Sequence, residues 1–291
     1  MRISESMRRS ALQSQLGKLQ AQQAKATTEV ATGRDVTRFS DAPMRAGDAK
    51  RLDATLARQE SFRRAGERLE TELQLADGAL SSATDALTRA SELASQIGSG
   101  SRPDAAFDGA LVEVQELREA LVSAANTKLG ERYIFAGVND RSAAFAADGT
   151  YQGSNTARTQ RVQSDTDVPS WTGDDAFGAG ASSVFAALDA LEAAIVSRDS
   201  TAVLAAGDRV SEANSTVVRA REESGYRINT ITEARRFGEV LAEQAQQGRS
   251  DAVDSDIADS ISRLERARVG LEYTVGVARS LDGLALLRRL G

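Results

Sequence analysis

The chain has 291 residues, 41% apolar but only 4% aromatic, with a net charge of −6 and neither Cys nor His. Those absences exclude disulfides, thiol nucleophiles, Ser-His-Asp triads and zinc sites built on His or Cys. The negative balance argues against nucleic acid as the main partner. A core of Ala, Leu, Val and Ile with so few rings suits thin helical bundles.

The chain starts "MRISESMRRSALQSQLGKL", which has basic residues but no continuous apolar run and no small-residue cleavage site, so it does not read as a Sec-type signal peptide. No stretch approaches the ~18 consecutive apolar residues of a spanning helix. Leu12, Leu16, Leu19, Ala26 and Val30 keep the alternating four-three spacing of one helix face, with Gln23 as a polar interruption. Ile3 and Met7 extend that stripe. With no aromatic before Phe39, it reads as a helix-helix seam, not a membrane-surface helix. "TGRDVTRFSDAP" ends the helix: Gly33 suits a positive φ past its C-terminus, and Pro43 suits the first turn of the next one.

From 44 to 97 no proline intervenes, and Leu52, Leu56, Leu69, Leu73, Leu80 and Leu87 recur at helical intervals. "GSGSRPD" is a loop with Asp104 as a candidate cap, and a further helix is predicted over 105–129 through Leu111, Val114, Leu117 and Leu121. Residues 131–184 then gather Tyr133, Phe135, Phe145, Tyr151, Trp171 and Phe177 among frequent glycines, the mark of short strands and tight turns around an aromatic core of their own. Helix resumes near Ser183 and continues, with a break at "SRDST", to about Gln247. Past "GRS", Ile257, Ile261, Leu264, Leu271, Val275, Ala278 and Leu281 form the matching stripe of the last helix.

Four motifs invite chemistry. Asp251, Asp254, Asp256 and Asp259 are dense enough to suggest Ca²⁺, but an EF-hand needs Gly where Asp256 stands and Glu where Ser262 stands. An acidic helix N-terminus capped by Ser250 or Asp251 fits better. "GAGASS" lacks the Gly-Lys-Ser/Thr ending of a phosphate loop and reads as a hinge. Tyr133, Phe135 and Trp171 could form a ligand platform, but a small β module needs them for its core. No catalytic residue, cofactor site or metal site is predicted.

A narrow apolar stripe cannot be buried within one helix. The two terminal stripes therefore pair: residues 1–40 carry seven basic and three acidic groups, while 239–259 carry six carboxylates and one Arg. The predicted fold is mainly α, a long helical bundle or coiled coil of paired N- and C-terminal segments with a small inserted β-rich domain. The predicted domains are 1–40 with 251–291, 41–130 with 185–250, and 131–184.

Three stretches carry a family resemblance. "ATGRDVTRFSDAP" resembles the helix-ending Gly-Lys/Arg-x-Val and Asp-Asp-Pro of the flagellin family of bacterial flagellar proteins, here with Ser40-Asp41-Ala42 before the proline. "GERYIFAG" followed by Phe145 resembles the Gly-x-Tyr-Leu-Phe-Ala-Gly…Phe of the hook-associated type that joins hook to filament. "YQGSNTARTQRVQ" is similar to its Tyr-Gln-Gly strand and hairpin. "DSDIADSISRLERARVGLEYTVGVARSLDGLALL" fits the family's Asp-rich start and apolar repeat, ahead of a less apolar tail. The resemblance implies a structural protein exported by the flagellar type III apparatus, handed over by a cytoplasmic export chaperone. It implies assembly with copies of itself, hook-associated protein 1 and flagellin, with no membrane or nucleic-acid partner. The terminal stripes, from Ile3 and Met7 to Ala278 and Leu281, would be its assembly interface. A flagellin-like filament subunit and a cytoplasmic coiled-coil scaffold are the alternatives.

Overall fold

A computed structural model of the chain describes the backbone of residues 2–100 and 103–290, and the side chains among them except 2–6, 8, 9 and 281–290. In chain order the elements are α1 (Arg2–Thr32), α2 (Pro43–Gly98), α3 (Asp104–Ala125), β1 (Lys128–Leu129), β2 (Arg132–Tyr133), β3 (Thr159–Gln163) and β4 (Thr166–Pro169). They continue with α4 (Gly173–Phe177), a 3-10 turn (Gly180–Ser182), α5 (Val184–Ser197), α6 (Ser200–Val253) and α7 (Ile257–Leu290). The architecture is the mainly α one predicted, with two small antiparallel hairpins, β1–β2 and β3–β4. The chain divides into two compact units, residues 1–58 with 241–291 and residues 59–240.

In the 59–240 unit, α2 and α6 pair antiparallel. Leu69, Leu73, Ala76, Leu80, Ala83, Leu87, Ala90 and Ala94 are buried on α2, and Val203, Ala206, Val210, Ala213, Val217 and Ala220 on α6. Both series step by four and three, the periodicity of a coiled-coil seam. The two helices approach closely where small residues meet the partner. A Cβ on Gly207 would lie 2.7 Å from that of Ala94, and one on Gly98 2.5 Å from Leu204. Polar pairs flank the seam: Ser91–Ser211 at 2.8 Å, Arg221–Asp77 at 3.1 Å and Arg235–Glu70 at 3.2 Å. On the other side α3 lies along α5, joined by Gln115 to Glu192 and Arg118 to Asp189.

The aromatic insertion is not a separate core. Phe135, Phe145, Phe177 and Phe185 pack edge-on or tilted at centroid distances of 4.9 to 6.4 Å. Their cluster runs without a break into Leu69, Ile231 and Ala234 of the long helices. Polar ties follow the same route. Trp171 Nε1 donates to Ser224 Oγ at 3.0 Å, and the Arg227 guanidinium lies 3.9 Å from the Trp171 ring. Asn126, just past α3, donates to and accepts from the Phe145 backbone, both at 2.9 Å. Short strands bury too little to stand alone, so they complete the helical core.

Four predicted boundaries differ. α3 stops at Ala125 instead of 129 and gives way to β1. α6 runs through Gly248 to Val253, so that glycine lies inside the helix, not at its end. The cap of α7 is therefore Asp256, whose Oδ1 accepts from the Ala258 and Asp259 amides at 2.8 and 3.3 Å, instead of Ser250 or Asp251. α3 starts after Pro103 with no side-chain cap, so Asp104 is its first helical residue.

Candidate assembly interface

In the 1–58/241–291 unit, α1 and α7 pair antiparallel, fixed by two contacts. Arg263 reaches Glu29 at 3.0 Å, and a Cβ on Gly270 would lie 3.1 Å from Leu19 Cδ2. Leu12, Leu16 and Leu19 are half-buried and Ala26 is buried on α1. Opposite them, Leu264, Leu271, Val275 and Ala278 are half-buried and Ala267 is buried. Ile257 and Ile261 face away, 56% and 46% exposed. The inner positions beside them are taken by Ser260, fully buried, and Arg263, because the seam there is polar and built around the buried carboxylate of Glu29. Met7 is also exposed, and the side chains of Ile3 and Leu281 lie outside the described residues.

Sequence periodicity alone missed a second row. Val269, Tyr273 and Val277 are 46%, 74% and 50% exposed, and with Ile257 and Ile261 they step by four along α7, interrupted only by Glu265. Residues at i and i+4 form the ridge that a helix presents to a neighbour. Outside the seam α7 thus carries an exposed apolar row that winds about 40° round the helix at each step, so that Val269, Tyr273 and Val277 share one side while Ile257 and Ile261 lie further round. The signal was available: Val269, Tyr273 and Val277 are apolar yet fall outside the predicted stripe of Ile257, Ile261, Leu264, Leu271, Val275, Ala278 and Leu281.

Next to this pair the chain breaks twice at one level. Gly33, at φ 68°, ends α1 with its amide bonded to Glu29 O at 2.8 Å, and its carbonyl accepts from Ser255 N at 2.9 Å. Asp35 N donates to Val253 O at 2.9 Å, and Arg45 Nε to Ala252 O at 2.9 Å. Arg45 also pairs with Asp35 at 2.6 Å, while Lys25 bridges Glu29 and Asp35 at 3.5 and 3.7 Å. The Arg45 hydrogen bond holds the Asp35 carboxyl below the ordinary carboxylate range. Partial burial opposes it, and the charges of Arg45, Lys25 and Arg263 reinforce it. In the Ser40-Asp41-Ala42 departure one carboxylate closes the turn. Asp41 Oδ2 accepts from Arg38 N at 2.9 Å and Thr37 Oγ1 at 3.3 Å. The Arg38 amide chiefly keeps the Asp41 carboxyl ionised to lower pH.

Among the described residues no helix is long and apolar enough to cross a membrane, and no group of three or more acidic or His/Cys residues is placed to hold a metal ion. What the arrangement offers is surface: two helices locked as a pair, with an apolar ridge turned outward.

Residues 3–140 match the bacterial flagellin N-terminal helical region. Over 295 residues the chain is 28% identical to flagellar hook-associated protein 3 of Escherichia coli K12, covering 92% of this chain and 93% of the relative. End to end the chain is similar to flagellar hook-associated protein 3, and its first half to the flagellin family. Flagellar hook-associated protein 3 of Salmonella typhimurium is 32% identical over 166 residues, 56% of this chain and 52% of that one. Among solved structures, Xanthomonas campestris FlgL aligns with a TM-score of 0.60 at 19% identity, over 68% of this chain and 99% of that one. A hook-associated protein 3 from Legionella pneumophila aligns at 0.62 and 15% identity, over 68% and 97%. At such identities the likeness speaks for the shared fold. α1 lies within the stretch that matches the flagellin N-terminal helical region, and its seam with α7 is built on Leu12, Leu16, Leu19, Leu264 and Leu271.

Proposed function

We propose that this chain is a structural subunit joining the flagellar hook to the filament, and that α7's outer ridge makes its contacts with neighbouring subunits. The observation that carries this reading is the near-full-length match to a hook-associated protein 3. Neighbours on the ridge would be copies of the same chain, with hook-associated protein 1 on one side of the junction and flagellin on the other. The chain would travel to the tip through the flagellar type III apparatus, held beforehand by an export chaperone. The inner residues Leu12, Leu16, Leu19, Leu264, Leu271, Val275 and Ala278 would shape the element that assembles, while Ile257, Ile261, Val269, Tyr273 and Val277 would touch the neighbour. Burying such a ridge contributes roughly 1.5–3 kcal/mol for each large side chain fully covered. Immunogold labelling of isolated flagella tests the location. A single band where hook meets filament is expected. Label along the whole filament would mean a flagellin-like filament subunit, the reading favoured by the flagellin match of residues 3–140 alone.

A further inference from the structure

A recess of about 60 Å³ in the 59–240 unit is lined by Arg68, Glu72, Arg132, Arg158 and Ser170. Its donors outnumber its acceptors. Arg158 gives one hydrogen bond, from Nη2 to Glu72 Oε1 at 2.6 Å, and its other terminal nitrogen is 3.6 Å from Asp140. Arg132 stands 4.0 Å from Glu72 and 3.8 Å from Asp140, both beyond hydrogen-bond reach. Arg158 Nε and the hydroxyl of Ser170, itself only 2% exposed, have no hydrogen-bond partner among the described residues. Arg132 and Arg158 face Glu72 and the neighbouring Asp140, and Arg68 adds a third guanidinium at the exposed rim, so the recess carries an excess positive charge and N–H groups that lack an acceptor among the described residues. Buried donors in that state are costly, and a guest that accepts from them removes the cost.

We propose that this recess binds one small carboxylate. A monoanion balances the excess charge, and its two oxygens can accept from two donors at once, as carboxylates do with guanidinium groups. The shared chemistry has two sources, a free small acid or the tip of an acidic side chain on a neighbouring copy.

Trp171, the one Trp of the chain, follows Ser170 directly and is buried, so its emission reports on the recess. Exchanging chloride for acetate at constant ionic strength, with the full chain, should give a saturable change with a midpoint in the low millimolar range, of the order of 1 mM. Ser170→Ala and Arg132→Gln should each raise that midpoint about tenfold. Neither side chain makes a hydrogen bond among the described residues, so both variants should keep the wild-type circular dichroism; Ser170→Ala should also keep the melt, while Arg132→Gln, which removes a charge near Glu72, should melt slightly lower. An equal response to nitrate would mean an adventitious ion only and overturn the proposal. So would no saturable change, or a midpoint that ignores both substitutions. A second arm separates the sources. If saturating acetate blocks self-assembly and Arg132→Gln mimics it, the carboxylate belongs to a neighbouring copy; if assembly is untouched, it is a free acid. The emission arm does not depend on the junction reading.

Discussion

Glu72 and Asp35 respond to pH in opposite directions, because different forces dominate them. Burial is the largest influence on Glu72 and pushes its carboxyl above 4.5, against the charges of Arg158 and Arg132; Asp140 pushes the same way as burial. A value raised by folding stabilises the chain below 4.5, and that contribution is lost as pH rises through the folded value. Glu72→Gln keeps an oxygen for Arg158 and removes the charge. Its stability near neutrality, from urea unfolding, should stay within about 1 kcal/mol of wild type, and the decline from pH 4.5 upward should flatten. An unchanged slope would contradict the burial argument. Arg158→Met leaves the carboxylate buried without its partner and should cost about 3–5 kcal/mol. Asp35 is the reverse case. Its lowered value gives stability that is present above 3.8 and lost as pH falls through the folded value. The hydrogen-exchange protection factors of the Asp35 and Val36 amides, both bonded to Val253 O, should fall on acidification in the wild type. In Arg45→Met they should be low throughout.

Substitutions on helix α7 can separate folding from the proposed assembly role, since its seam residues pack on α1 while Val269, Tyr273 and Val277 are exposed. Leu264→Asp with Leu271→Asp places carboxylates in the seam with α1, at a cost of a few kcal/mol per site, so the pair should open and trypsin should cut both terminal segments in the isolated chain. Val269→Asp with Tyr273→Asp alters only exposed positions and should leave the digestion pattern as in wild type. The exposed pair Glu265→Ala with Glu272→Ala is the neutral control. The insertion behaves differently from what its own rings suggest. Replacing 131–184 by a short Gly/Ser linker removes Trp171, Phe135 and Phe177 from a core shared with Leu69 and Ile231. Each such ring is worth about 3–5 kcal/mol on truncation. The helical unit should lose its cooperative melt, seen by circular dichroism; a sharp transition would mean that the two cores are separable.

Legibility in the sequence followed where the large apolar residues lie. Leu12, Leu16 and Leu19, or Leu69, Leu73 and Leu80, announce a helix face by themselves. The facing side of α6 is Ala, Val, Ser and Arg, whose burial depends on the partner across the seam, so pattern alone does not set its length. Gly248 reads as a stop in the sequence yet lies inside α6, because one glycine costs a long packed helix only about 1 kcal/mol. Glu72 and Arg158 lie far apart in the chain, and the recess they share has no local signature at all. The inner side of α7 near its start has no apolar signal in the sequence, because it is Arg263 that reaches Glu29, with Ser260 buried beside it. The central claim is that the outer ridge joins this subunit to its neighbours in the flagellum. Its most direct test is filament retention in cells whose only copy of the chain carries Val269→Asp and Tyr273→Asp. The variant should be made and folded, yet filaments should be missing from the hooks and flagellin should appear in the medium. Filaments of normal number and length on that variant would contradict the account.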